Sequence, residues 1–346
     1  MIEALCIGMI DMAGERVLHN CGMCEPLFVT VSGRIGWGVR YTGNSRGIEK
    51  EEDGKRVIMR IGFIGAGKVG CSLGKYLKES AGDWQIVGYY SRSTASAKEA
   101  AVFTDSRVID QVELLAQMAD VIFVTTPDGV IKEIWETLRG CDILLEDKII
   151  VHCSGLLAST VFTGADECGV TAVSLHPLYA VSDKYHSYES LANAHFTLEG
   201  SGERLEEFQQ LLTVSGLTIQ QIDAASKAAY HAAASISSNL MVGLAELAIE
   251  RLLDCGFDRE HARMALRPLM QGNLDAIMEK DTTDALTGPA ERADVETVNA
   301  HLHTLSGEDR EIYRLLTKKV VAIAKQKNPE RDYSALDASL EQAKDV

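Results

Sequence analysis

Basic charge is what this sequence most lacks. It sets 34 Lys and Arg against 50 Asp and Glu, a formal net charge of −16. Nucleic-acid and anionic-membrane binders carry the opposite balance because phosphates attract a positive footprint, so neither partner is expected. Aromatic residues make up 6% and prolines number six, which excludes fibrous and proline-rich disordered chains. No unbroken run of 18 apolar residues occurs, so no membrane span is expected. The first twelve residues carry Glu3 and Asp11 in place of a basic leader, which argues against a signal peptide. Of the eight cysteines, only Cys21 and Cys24 are closely spaced. Without a second such pair, free thiols in a cytoplasmic protein are expected, and no metal.

What is present is enough apolar residue, 46% of 346 positions, for two modest domains. Residues 1–58 stand apart: they hold nine of the 29 glycines and end in the polar run Glu49-Lys50-Glu51-Glu52-Asp53-Gly54-Lys55. They are expected to be a poorly ordered N-terminal extension, with the functional chain beginning near Met59. From Arg60, short Val/Ile-rich runs alternate with helical stretches. Strands are expected at Ile61–Gly65, Gln85–Tyr90, Val121–Thr125, Lys148–His152, Thr171–Leu175, Phe196–Glu199 and Leu217–Ile222. Such alternation implies a doubly wound α/β sheet over residues 59–223. After Asp223 an Ala-rich stretch, Ala224 to Leu253, reads as one long helix and no convincing strand follows. Residues 224–346 are therefore expected to form an all-helical domain.

Gly65-Ala66-Gly67-Lys68-Val69-Gly70 follows the first of these strands and opens a helix, with another strand after it. That is the context of the dinucleotide fingerprint: a tight turn, room for a pyrophosphate, and close helix packing. The overlapping Gly62–Lys68 spells the start of a nucleotide-hydrolysing loop. Val69 follows, however, where a magnesium-binding hydroxyl is needed. The sheet is thus expected to be Rossmann-type. Its second strand ends in Ser91-Arg92-Ser93 with no acid before Glu99. A carboxylate there would accept from the ribose of NAD, whereas Arg92 suits a 2′-phosphate, so NADP(H) is the expected cofactor.

Ligands of open α/β sheets lie over the carboxyl ends of the strands. Three such ends are polar here: Thr125-Thr126-Pro127 for the cofactor, and His152-Cys153-Ser154-Gly155 and His176-Pro177 for a substrate. On the long helix, Lys227 and His231 lie about 40° apart, while Asn239 is displaced by about 120° from Lys227. Two cationic neighbours lower each other's pKa, which suits a general acid near neutrality. Arg292, in Leu286-Thr287-Gly288-Pro289-Ala290-Glu291-Arg292-Ala293-Asp294, has the planar fork that matches a substrate carboxylate. The expected set is catalytic Lys227, His231, His176 and Ser154, with Arg292 and Asn239 binding substrate.

Together these segments resemble a family of NADP-dependent oxidoreductases, with a Rossmann-like N-terminal half and a helical C-terminal domain of unknown function. H-C-S-G, S-x-H-P-L, K-x-x-Y-H and L-T-G-P-x-x-R-x-D carry the likeness, in one order, over about Met59 to Leu316. The family is similar to pyrroline-5-carboxylate reductases, ketopantoate reductases and prephenate dehydrogenases. The resemblance implies a Lys at the opening of the helical domain, matched by Lys227, with His231 standing where ketopantoate reductases place Asn. It also implies a Ser and a His as in prephenate dehydrogenases, matched by Ser154 and His176. The reading that follows is an NADPH-dependent reductase of a small carboxylate-bearing ketone or imine, with ketopantoate first, and a homodimer through the helical domain. Its rivals are a prephenate- or arogenate-type dehydrogenase and a non-catalytic NADP(H) sensor.

Overall fold

The computed structural model describes residues 58–345 and, before them, only two short strands, β1 (Met9–Ile10) and β2 (Arg16–Val17), paired antiparallel. The other residues expected to form the N-terminal extension lie outside the described residues. The chain divides into two units, residues 1–55 and 56–346, and the second carries the sheet and the helices discussed below.

All seven expected strands form. They are β3 (Met59–Ile64), β4 (Trp84–Tyr90), β5 (Val121–Val124), β6 (Ile149–His152), β7 (Thr171–Leu178), β8 (His195–Ser201) and β9 (Thr218–Gln221), in the sheet order β4-β3-β5-β6-β7-β8-β9. The first five are parallel; β8 runs antiparallel to β7, and β9 is parallel to β8. The reversal ends the parallel run of the first five strands. Residues 179–194, which join β7 to β8, carry only 3-10 turns and no crossover helix, so the chain returns beside β7 in the opposite sense.

Alternation along the strands feeds two apolar layers. Ile61, Phe63, Val121, Phe123, Ile149 and Val151 face one layer. Ile64, Ile122, Val124 and Ile150 face the other, with Trp135 and Leu138. Phe63 stacks between Tyr89 at 5.0 Å and Phe123 at 5.1 Å. Each such side chain contributes roughly 1.5–3 kcal/mol by leaving water. The covering helices are α1 (Lys68–Glu79), α2 (Thr94–Phe103), α3 (Val112–Met118), α4 (Asp128–Gly140) and α5 (Leu205–Val214). The sheet order reverses direction between β3 and β5, so the carboxyl ends of those two strands flank the crevice where such sheets bind ligands.

The long helix expected from Ala224 is broken. Ser238, at φ −121° and ψ −80°, separates α6 (Lys227–Ser237) from α7 (Asn239–Asp254). By length and composition Ala224–Asp254 is apolar enough to cross a membrane, although polar residues interrupt it. The break leaves helices of 11 and 16 residues. At 1.5 Å per residue these are about 16 and 24 Å long, short of a ~30 Å hydrocarbon core. Then come α8 (Arg259–Lys280), α9 (Thr282–Ala285), α10 (Val295–Thr304), α11 (Gly307–Lys327) and α12 (Ser334–Gln342). A third core, of Ala290, Val298, Leu302, Val321, Tyr333, Leu336 and Leu340, holds the last three of these helices together.

Candidate active site at the carboxyl ends of the strands

β3 ends at Ile64, and Gly65 turns the chain at φ +110°, a conformation L side chains rarely adopt. The turn is fixed to its neighbours: Gly65 N–H donates to Tyr90 O at 2.8 Å, and Thr125 N–H donates to Ile64 O at 2.8 Å. The Thr125 hydroxyl donates to Gly65 O at 3.0 Å. A Cβ on Gly70 would collide with that hydroxyl, so α1 can approach β5 only with glycine there. Gly67 is the opposite case. A Cβ there would meet nothing within 4 Å, and no side chain caps α1 behind it. The first N–H groups of α1 therefore point into open space with the positive end of the helix dipole.

Three further features suit a dinucleotide at this opening. The Thr126 hydroxyl is buried with no partner among the described residues. Arg92, at the end of β4, is exposed and makes no hydrogen bond or ion pair there. Ser93 caps α2 by accepting from Ser96 N–H at 3.2 Å, while Ser91 Oγ accepts from Ser93 N–H at 3.3 Å, so both serines shape the loop that presents Arg92. Ala66 is buried, Lys68 and Pro127 are exposed, and Val69 is half-buried. The residues present fit a phosphate-bearing dinucleotide.

Beside this opening the ends of β6 and β7 meet the start of α6. Lys227 is 2% exposed, and its Nζ donates to Ser154 O at 2.9 Å and to Ser174 Oγ at 2.7 Å. Burial lowers its pKa; Glu199, Cys153 and Asp128 oppose that shift. Ser154 Oγ donates to Asp128 Oδ2 at 2.7 Å and accepts from Leu156 and Leu157 N–H at 3.2 and 3.0 Å. His152 is fully buried. Its Nδ1 accepts from Ser154 N–H and its Nε2 donates to Ala158 O, both at 3.2 Å, and burial lowers its pKa to about 4. His176 is pushed to about 4 as well, by burial first, then by Lys227 and His231. The His176 and His231 rings lie 6.1 Å apart, edge to face, and His231 Nδ1 is buried without a partner among the described residues. Glu199, paired across from Ser174, takes Ser159 N–H at 2.6 Å and Ser159 Oγ–H at 2.7 Å.

Residues 46–177 match the Rossmann-like domain, and residues 194–320 match a domain of unknown function, DUF2520. The chain carries a Rossmann-like domain followed by a DUF2520 domain. Lys227 and Glu199 belong to the DUF2520 match and Ser154, Ser174 and His176 to the Rossmann-like one, so the cluster joins the two. Among solved structures the chain is similar to protein TM1727 from Thermotoga maritima. That pair shares 27% identity and a TM-score of 0.61, over 78% of this chain and 99% of that one. It is also similar to a candidate NADP oxidoreductase, BF3122 from Bacteroides fragilis, at 21% identity and TM-score 0.60, over 77% and 98%. A third is an imine reductase from Myxococcus stipitatus in complex with NADP+, at 19% and 0.53, over 81% and 99%. No curated protein matches the chain.

The structure brings Ser154, His176, Lys227 and His231 together, and leaves two expected residues out of that set. Arg292 is exposed in a turn of the DUF2520 match where Glu291 is pinned by Asn328, Arg331 and Tyr333. It bonds to none of the cluster. Asn239 stands beyond the helix break, exposed, with its Oδ1 accepting from Ser238 Oγ at 3.0 Å. The angular placement made on one continuous helix therefore does not apply to it. Sequence reasoning passed over Ser174, Asp128, Tyr230 and Glu199 as site residues. The period-2 signal that puts Ser174 on the face of His176, and the helical spacing of Lys227, Tyr230 and His231, could have found two of them.

Proposed function

We propose that the chain is an NADPH-dependent reductase of a small carboxylate-bearing ketone or imine, with ketopantoate the leading substrate. The observation that carries this reading is the open space over Gly67 at the uncapped start of α1. The α1 N–H groups would hold the pyrophosphate and Arg92 the 2′-phosphate, with the Thr126 hydroxyl as a further donor. When bound, the reduced nicotinamide supplies a hydride. Lys227 contributes a buried positive charge that stabilises negative charge growing on the substrate oxygen. His176 and His231 orient that oxygen, while Arg292, exposed and bonded to none of this cluster, is left without a role there. Two of the three protons on Lys227 are engaged by Ser154 O and Ser174 Oγ, which fixes the ammonium in place and leaves the third for the substrate oxygen. A prephenate-type dehydrogenase is less well supported, because the Ser154 hydroxyl it would use already donates to Asp128. The imine reductase solved with NADP+ shares the fold, which supports the cofactor assignment.

Gly67→Leu tests the reading, because a Cβ there meets nothing within 4 Å and the rest of the side chain extends into the open space. NADPH binding, followed by nicotinamide fluorescence, is expected to be lost with an unchanged melting temperature. In Arg92→Ala, affinity for NADPH is expected to fall about 10- to 100-fold and that for NADH to stay the same, as for one charge-assisted contact. Wild-type NADPH affinity in Gly67→Leu would defeat the proposal.

A further inference from the structure

Tyr230 sits one turn past Lys227 on α6, and its hydroxyl lies 2.7 Å from Nδ1 of His176. The two rings meet edge to face, with centroids 5.6 Å apart. The His176 imidazole is neutral near pH 7, for the reasons of burial and charge given above. A neutral imidazole holds one proton, and the bond made by one nitrogen decides which nitrogen carries it. A phenol is the better donor and a bare imidazole nitrogen the better acceptor, so Tyr230 O–H points at Nδ1 and the ring proton resides on Nε2. Burial raises the Tyr230 pKa, with the Thr197 hydroxyl pulling the other way, so the phenol keeps its proton. Nε2 faces Gly155: a Cβ built there would lie 2.9 Å from it and 2.5 Å from Nδ1 of His231. Nε2 itself makes no hydrogen bond among the described residues, which leaves its proton for a ligand.

We propose that Tyr230 is a positioning residue that fixes His176 as an Nε2–H donor, and that this donor selects a carbonyl substrate over an imine. The second half rests on the reductase reading. A carbonyl oxygen offers lone pairs to an N–H. An iminium, whose carbon accepts the hydride, has already spent its nitrogen lone pair on a proton and would set N–H against N–H. Charge acts in the same direction, because the buried Lys227 ammonium attracts a developing alkoxide and repels an iminium cation. The site is therefore built for an oxygen that gains negative charge.

Nitrogen-15 NMR of the full-length protein labelled at histidine tests the first half without any cofactor. His176 is assigned by the signals that vanish in His176→Asn. Nε2 is expected to be protonated and Nδ1 bare, and in Tyr230→Phe, which keeps the ring contact, that preference is expected to collapse to a tautomer mixture. A wild-type His176 protonated on Nδ1, or a tautomer indifferent to Tyr230→Phe, overturns the positioning role. The second half is read from NADPH oxidation with ketopantoate against the cyclic imine 1-pyrroline-5-carboxylate. The keto acid is expected to show the higher kcat/KM, and Tyr230→Phe to lower its kcat about tenfold with KM little changed, as for one lost hydrogen bond. Equal or better turnover of the imine overturns the selection and leaves the reductase reading standing. Failure of the protein to bind NADPH sinks that reading instead, and the tautomer measurement still decides the role of Tyr230.

Discussion

Lys227 donates to the hydroxyl of Ser174 at 2.7 Å, and so ties the first residue of α6 to the middle of β7. The same ammonium reaches the Ser154 carbonyl at 2.9 Å, so three segments distant in sequence converge on one buried cation. Its positive field is felt by both neighbouring imidazoles, lowering the pKa of His152 and of His176. A single side chain thus couples the packing of the helices to the protonation of the site.

Lys227→Met keeps most of the length of the side chain and removes both hydrogen bonds. Ser174 Oγ loses its donor and Ser154 O keeps only the longer bond from the Ser174 hydroxyl at 3.4 Å, so the loss of stability is expected to be about 2 kcal/mol. With the cation gone, the His176 pKa is expected to rise toward its ordinary value. Urea unfolding measures the first effect, and an NMR titration of the His176 ring protons the second. Unchanged stability together with an unchanged His176 pKa would show that the contact carries no weight.

The sheet was legible because its strands are buried on both faces and so read as continuous Val/Ile runs; Val121–Val124 and Ile149–His152 are examples. The glycine turn was legible because Gly65 and Gly70 are demanded by backbone geometry and close packing, which leave a mark in the residue type. The direction of β8 was not, since it depends on the path of a 3-10 connection rather than on any strand residue. Nor was the break at Ser238: Ser237, Ser238 and Asn239 are weak helix formers, but the apolar pattern on either side continues across them. The short α3, Val112–Met118, has too few turns to show a period. The candidate site was half legible: strand ends and helix spacing pointed to Ser154, His176, Lys227 and His231. Partners such as Glu199, Asp128 and Ser174 are set by tertiary contacts that spacing alone does not encode.

The helices α7 and α8 carry apolar side chains that the chain itself leaves uncovered. Leu240 is 62% exposed, Val242 69%, Met264 63%, Leu269 63% and Met278 74%, and α7 has no buried residue. Apolar surface of this extent marks an interaction site, and the proposed homodimer through the helical domain would cover it. Light scattering at micromolar concentration is expected to give the mass of two chains. The double variant Val242→Glu, Leu269→Glu is expected to give one, because a carboxylate placed in an apolar seam is costly to desolvate. A wild-type monomer would rule the dimer out.

Stability should also report the neutral histidines. His152 is fully buried and bonded through both ring nitrogens, and its folded pKa of about 4 lies below the ordinary 6.5. As pH falls, the unfolded chain therefore takes up the proton first. The contribution of His152 is complete above about pH 6.5, declines between 6.5 and 4, and changes no further below that. At pH 5 the loss amounts to about 2 kcal/mol, with a similar share from His176, whose pKa is lowered to the same level. Carboxylates such as Asp294, held low by the Thr297 amide, act in a separate window, since their contribution is lost only as pH falls through and below 3.8. Urea unfolding at pH 7.5, 6 and 5 is thus expected to show a steep decline that His152→Gln makes shallower. A flat profile between pH 7.5 and 5 would mean that these imidazoles are protonated in the folded protein, and that the site does not keep them neutral.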